Sequence, residues 1–293
     1  MRGLGDSPWK ATLAGVLLAA ALLAAPTRGQ ESPGDGACDG IRPVDLRSIC
    51  ERGELRVARY RGQRPPFFFE RDGRWVGFDV DLGRDIATRL GVEYREIPTA
   101  PSFDAVVDRV AEGSADLGLS KLSATLARAT RVRFSRPYLT VYQALLVNRL
   151  SAPAGADPFR ALDAAGTGIG ALDGSAYVGY ARASFRAAEV RPYSDFSAMM
   201  DDVVAGRLDA ALMDSARANT WRRRNREKLV QVRSRVDKSR RDPLAIAVSW
   251  DKTHLLAWID LYLDGIEADG TAERLYRKWF VDDPGVGSEG ESR

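Results

Sequence analysis

The sequence predicts an α/β fold with a largely parallel sheet, arranged as two consecutive units with a hinge between them. Three observations predict it. From Leu55 onward, short apolar strand patterns alternate with amphipathic helix patterns, the order expected of strands crossed over by helices. A second series of the same kind begins at Gly168. Two chain crossings, near Val147 and near Pro243, would form the hinge.

In the first unit, Leu55-Arg56-Val57-Ala58 reads as a strand. Phe67 to Glu70 and Trp75 to Phe78 flank Asp72-Gly73, a hairpin signal. Leu82, Ile86 and Leu90 recur every four residues and mark a helix that stops at Gly91. Val92 to Ile97 is a strand; Phe103, Val106, Val107 and Val110 form one helical face closed by Gly113; Asp116 to Leu119 is a strand again. In the second unit, Gly168 to Ala171 is a strand and Ser175 to Phe185 a helix. A helix over Phe196–Val204, a strand over Leu208–Met213 and a polar helix over Ser215–Lys228 follow. Leu244 to Val248 is a strand that can return to the first unit, and Leu255 to Phe280 supplies two helices split near Gly270.

The ends read differently. Arg2 and Lys10 precede an apolar run, Ala11 to Ala25, then Pro26 and small residues before Gly29. That is the pattern of a secretory signal peptide over residues 1–29, and the run is shorter than the ~20 apolar residues a membrane span needs. Cys38 lies too far from it, behind Asp35, for a lipoprotein site, so a free soluble protein is expected. Removing residues 1–29 takes away Arg2, Lys10 and Arg28 against Asp6, which lowers the formal charge from +3 to about +1. Residues 30–52 form a leader, and in an oxidising compartment Cys38 and Cys50 can pair within it. Residues 282–293, glycine-rich and poor in apolar side chains, read as a disordered tail. So small a charge gives no support to nucleic-acid binding. A single histidine and two cysteines exclude most histidine- or cysteine-rich metal sites. No cofactor is expected.

Three local signals carry chemistry. Thr125 can cap a helix starting at Leu126, with Arg128 in its first turn. A cation there opposes the helix dipole, which makes sense if its guanidinium fork meets a carboxylate. An exposed arginine in a basic segment is the alternative, since Arg131 and Arg133 follow. Asp214 ends an apolar strand at its carboxyl edge, where α/β sheets bind ligands; it can hold an ammonium, cap the next helix, or both. Asp173-Gly174-Ser175-Ala176 is a turn into a helix and a weak anion seat. The basic run Trp221 to Arg226 reads as a solvated helix face, and His254 as a surface or capping residue.

These fragments together resemble the family 3 extracellular solute-binding proteins, the polar amino-acid receptors of ABC importers. The resemblance runs from Gly53 to Phe280. It is carried by Pro65-Pro66-Phe67, Val76-Gly77-Phe78-Asp79-Val80-Asp81-Leu82, Gly113-Ser114-Ala115-Asp116-Leu117, Thr125 with Arg128, Val132 to Tyr138, Gly206 to Ala210, and Tyr276 to Phe280. It implies a type II periplasmic-binding-protein fold, with lobe 1 over residues 53–146 plus 245–281 and lobe 2 over 147–244. Two hinge strands would join the lobes, and the ligand would bind in the cleft between them. It implies Arg128 and Ser123 on a ligand α-carboxylate, Ser175 and Ala176 beside them, Asp214 on the α-ammonium and Phe103 as an aromatic wall. It implies a monomeric periplasmic receptor, not an enzyme, that serves inner-membrane permease subunits. A dehydratase-like enzyme of the same fold and a sensory or accessory module are the alternatives. The chain departs from the family in Tyr60-Arg61-Gly62-Gln63-Arg64 and in Lys121, where glycine is usual. Arg61, Arg64 and Lys121 suggest a cationic side-chain subsite and an acidic ligand, glutamate or aspartate, with Arg61 the leading contact.

Overall fold

Alternation in the first strand shows how the local sequence organises the fold. Leu55 and Val57 point the same way and are buried, while Glu54 and Arg56 are half-exposed, the two-residue period of a strand with one wet edge. The computed structural model describes residues 38–97 and 100–282. The signal peptide, the first residues of the leader and the tail from residue 283 lie outside the described residues.

Up to Phe134 the order is α1 (Val44–Arg52), β1 (Glu54–Ala58), β2 (Phe69–Arg71), β3 (Arg74–Val76), α2 (Phe78–Leu90), β4 (Glu93–Glu96), α3 (Phe103–Ala111), β5 (Leu117–Gly118), α4 (Leu126–Ala129) and β6 (Arg133–Phe134). The expected hairpin is β2–β3, and Asp72 and Gly73 both take positive φ at its turn. There follow β7 (Leu139–Asn148), α5 (Pro158–Ala161), β8 (Gly168–Leu172), α6 (Ala176–Ser184), β9 (Glu189–Tyr193), α7 (Phe196–Val204), β10 (Ala210–Asp214), α8 (Ser215–Arg224) and β11 (Val232–Leu244). The described residues close with β12 (Ala247–Val248), α9 (Thr253–Ala268), α10 (Thr271–Tyr276) and a π-helical turn, Arg277–Asp282.

Two five-stranded sheets result. The first has the order β4-β1-β5-β12-β6, the second β11-β7-β10-β8-β9. In each, the strands joined by crossover helices run parallel, β4-β1-β5 and β10-β8-β9, while the returning strands β12, β7 and β11 are antiparallel to their neighbours. Sheet membership first changes between Phe134 and Leu139. All of β7 belongs to the second sheet, so the first crossing comes ahead of the position near Val147 expected from sequence. It changes back between Leu244 and Ala247.

Helices bury one face each. Leu82 and Ile86 of α2, with Leu255 and Ile259 of α9, pack against Leu55, Val57 and Leu117. Val106, Val107 and Val110 of α3 join Ala58, Phe67 and Phe68 in a second cluster. The second sheet carries two clusters of its own. Trp279 is buried and donates its indole N–H to Asp81 at 2.8 Å, and Phe280 sets its ring edge-on to Phe67 and Phe78.

The leader is more ordered than its composition suggests. Asp45, buried in α1, accepts the backbone N–H groups of His254 and Leu255 at 2.9 and 3.0 Å, and so satisfies orphan donors at the start of α9. A disulfide joins Cys38 to Cys50 and ties residue 38 to the end of α1. It spans 12 residues, a loop worth about 3 kcal/mol in the chain-entropy model. The Cys38→Ser/Cys50→Ser variant is expected to lose about that much unfolding free energy in denaturant titration. An unchanged midpoint and slope would show that the docking of Asp45 alone holds this segment.

Candidate functional site

The carboxyl ends of β5, β8 and β10 face one another across a cleft between the lobes. The first lobe contributes Arg64, Phe103, Lys121, Ser123 and Arg128. The second contributes Ser175 and Ala176 at the start of α6, Phe196 and Met199 of α7, and Asp214 and Arg217 around the start of α8. Their cavity measures about 40 Å³, which holds a few waters but is far below the volume of a solute pocket. Entry of a solute therefore requires the lobes to part. At present they touch: Asp104 N–H donates to Gly174 O at 3.1 Å. Gly174 has φ of +64°, and a Cβ there would lie 2.7 Å from Ser102 Cβ, so only glycine permits this approach.

Arg128 sits on α4 as expected, with Thr125 as the N-cap, its hydroxyl accepting from Arg128 N–H. The guanidinium is buried. It donates to Asp104 at 3.0 Å, to Ser123 O at 3.2 Å and to Gly174 O at 3.4 Å. Ser175 caps α6, and its hydroxyl donates to Leu172 O at 2.5 Å; Ala176 occupies the first helical position. Ser123 lines the cavity, but its hydroxyl donates to Asp242 at 3.0 Å. Tyr177 and Tyr180 donate to the same carboxylate at 2.7 and 3.2 Å. Burial raises Asp242 above the usual carboxylate range against these donors and the Lys121 ammonium.

Asp214 plays the capping role the sequence offered: its Oδ1 accepts from Arg217 N–H at 2.8 Å. Its Oδ2 is ion-paired to Lys121 Nζ across the cleft. Burial alone would push this carboxyl up, but the Lys121 ammonium and the Arg217 N–H outweigh it and hold it below its ordinary value. Lys121 has φ of +50°, a conformation that suits glycine, and its N–H donates to Asp79 at 2.6 Å.

The side-chain subsite differs from expectation. Arg61 is exposed and lines no part of this cavity. Arg64 lines it instead: it is buried over the Tyr60 ring at 4.6 Å, and Tyr60 stacks on Phe103 at 4.7 Å. Arg61 and Arg64 lie three residues apart in a loop, and no periodicity there reports which of them turns inward. Arg217 was not singled out in the sequence at all. It stacks over Phe196 at 3.9 Å. Burial, then the neighbouring Arg64 cation, lower it to about 9; burial lowers Arg64 as well. Among the described residues, nothing accepts from the buried Arg217 Nε, and no carboxylate pairs directly with Arg64 or Arg217.

This arrangement, two α/β lobes closing on a charged cleft, has relatives. The description "Bacterial extracellular solute-binding proteins, family 3" matches residues 55–282. The chain belongs to that family. It is 27% identical over 237 residues to the L-cystine-binding protein TcyJ of Escherichia coli (strain K12), covering 80% of this chain and 85% of the relative. It is 31% identical over 257 residues to the membrane-bound lytic murein transglycosylase F of Pseudomonas syringae pv. tomato, covering 84% of this chain but only 48% of that protein. Its fold matches the crystal structure of an ancestral amino acid-binding protein, a precursor of cyclohexadienyl dehydratase, with TM-score 0.69, 30% identity, and coverage of 80% of this chain and 98% of that one. The fold is thus the type II periplasmic-binding-protein fold. No described helix is long and apolar enough to cross a membrane.

Asp79 links the segment Gly77-Phe78-Asp79 to the cleft, because it fixes Lys121 N–H and accepts from Tyr138 OH at 3.0 Å. Burial raises its carboxyl to about 7 against those two donors. Unfolded, it titrates near ~4. Between these values the folded protein holds the extra proton, so stability from this group is complete below about pH 4 and is lost as pH rises through about 7. Asp79→Asn is expected to flatten unfolding free energy over that window relative to the parent. Parallel pH profiles for the two proteins would refute the buried-carboxyl account.

Proposed function

We propose that this protein is a periplasmic receptor that captures a small acidic solute between its lobes and delivers it to the permease of an ABC importer. One observation carries the choice of an acid. Among the described residues, four cations, Arg64, Lys121, Arg128 and Arg217, line the cavity against one carboxylate, Asp214. Buried cations without counter-ions are costly, and an anionic solute supplies what Arg64 and Arg217 lack.

In this reading Arg128 and the start of α6, with Ser175 and Ala176, receive one carboxylate of the solute. A helix N-terminus and a guanidinium fork are both suited to that. The Tyr60–Phe103 stack forms the wall. Arg64 and Arg217 receive the second anionic group. Family membership supports the receptor role and the importer as partner, and among amino acids the charge favours glutamate and aspartate. An enzyme of this fold would need a general acid facing the solute. Asp214 is held by Lys121 and Arg217, and Asp242 by three hydroxyls, which favours holding a solute over converting it.

A calorimetric competition series with glutamate, aspartate, glutamine, arginine and leucine at fixed ionic strength tests the electrostatics. The acids are expected to bind tightest. Arg128→Ala should cost ~2–5 kcal/mol for every ligand, whereas Arg217→Ala should erode the preference for acids. Tighter binding of glutamine or leucine than of both acids would end the acidic reading. Recovery of the bound acid chemically altered would replace the receptor with an enzyme.

A further inference from the structure

The cavity holds its own ammonium group. Lys121 Nζ is paired with Asp214 Oδ2, and Asp214 Oδ1 takes the Arg217 N–H. Both side chains of the pair are buried. Lys121 reaches this position from a backbone at φ +50°, which a residue with a side chain adopts only when the surroundings impose it. The ammonium therefore sits at the one carboxylate lining the cavity, at a local conformational cost.

Among the described residues, the other carboxylates around the cleft already have partners. Asp104 is paired with Arg128. Asp242 is occupied by Ser123, Tyr177 and Tyr180. Asp195, at the outer mouth, caps α7 through the Ala198 N–H. An incoming ammonium would have to displace Lys121 from Asp214 and leave its Nζ buried beside the Phe67 ring, 5.4 Å away, with a second cation next to it. Like charges so placed are strongly repelled. The unmet need is the opposite one: the buried Arg217 Nε has no acceptor among the described residues.

We infer that the solute is a small organic diacid without an α-ammonium, because Lys121 supplies from the protein the cation that an amino acid would bring. This rests on the acidic-solute reading and narrows it. One carboxylate meets Arg128 and α6, the other meets Arg64 and Arg217, and the Lys121–Asp214 pair stays closed between them.

The test is calorimetric titration of the mature protein with unbranched diacids from malonate to adipate, with 2-oxoglutarate, and with L-aspartate and L-glutamate. The amine-free acid of best length is expected to bind at least about tenfold tighter than either amino acid, given what juxtaposed like charges cost. Lys121→Gly relieves the positive φ and frees Asp214, so it should narrow or reverse that ratio. Should this variant not fold, the ranking in the parent protein decides alone. If L-glutamate or L-aspartate matches or exceeds every amine-free acid, this inference is wrong while the acidic receptor stands. If no acid in the series binds, the acidic receptor itself is wrong and the inference falls with it.

Discussion

The ion pair between Lys121 and Asp214 is the constraint on which the rest of the cleft depends. A buried charge without a partner costs several kcal/mol, whereas a buried pair contributes little net stability. The pair therefore acts less as glue than as a specification. It requires the carboxyl end of β10 and the turn after β5 to face each other. Around it the backbone is tied down on both sides. Asp79, from the first turn of α2, accepts the Lys121 N–H, and Asp214 caps α8. The helix that carries Asp79 also carries Leu82 and Ile86 into the core of the first lobe. The position of one ammonium is thus set by the hydrophobic packing of a whole lobe.

Charge accounting then runs outward. Arg128 is satisfied by Asp104 and by two carbonyls, and Asp104 also bonds across the cleft through its backbone. Asp242 gathers hydroxyls from both lobes, since Ser123 comes from the first and Tyr177 and Tyr180 from the second. Among the described residues lining the cavity, the Arg64–Arg217 corner has no carboxylate paired to it. Two neighbouring guanidiniums, stacked on Tyr60 and Phe196, with Arg64 lowering the proton affinity of Arg217, are costly to assemble unless an anion joins them. The aromatic rings offset part of that cost through cation–π contact, but they accept no hydrogen bond from the Arg217 Nε.

Much of the fold was legible in the sequence because short-range rules govern it. Gly91 and Gly113 close α2 and α3 at positive φ, and Thr125, Ser175 and Asp214 cap the helices they precede. Other elements were not legible, among them α1, β7, β9 and β11. The long strand β11 contains Arg233, Arg235, Lys238, Arg240 and Arg241, so its half-exposed pairing with β7 hides the apolar alternation. That same pairing moved the first crossing ahead of Val147. The leader concealed α1, which is polar along most of its length and is anchored by Asp45, by the disulfide and by Ile49 buried in the first core. In the site, Arg128, Asp214, Phe103, Ser175, Ala176 and Ser123 converge on one cavity. Arg61 does not, because a loop has no periodicity from which side-chain direction can be read. Lys121 was noticed as a cation in place of glycine, but its partner was not, since the side-chain contact joins two different sheets across 93 positions of sequence.

In the proposed reading, the contrast between Lys121 and Arg128 is how a shared scaffold changes its ligand class with little rebuilding. The anion seat is made mostly of backbone: the start of α6, the turn at Gly174 and the carbonyls that orient Arg128. Such a seat persists through side-chain substitution because the fold itself supplies its geometry. The cation seat is a single carboxylate, and one side chain from the facing lobe can fill it. Lys121 does so from the turn after β5, at a positive φ that glycine would carry without strain. Strain accepted at a site, with the strained residue's charge aimed into the cleft, marks a position where binding rather than stability sets the residue. In the proposed reading, specificity then follows from subtraction: the fold keeps its grip on carboxylates and the protein itself occupies the place of the amine.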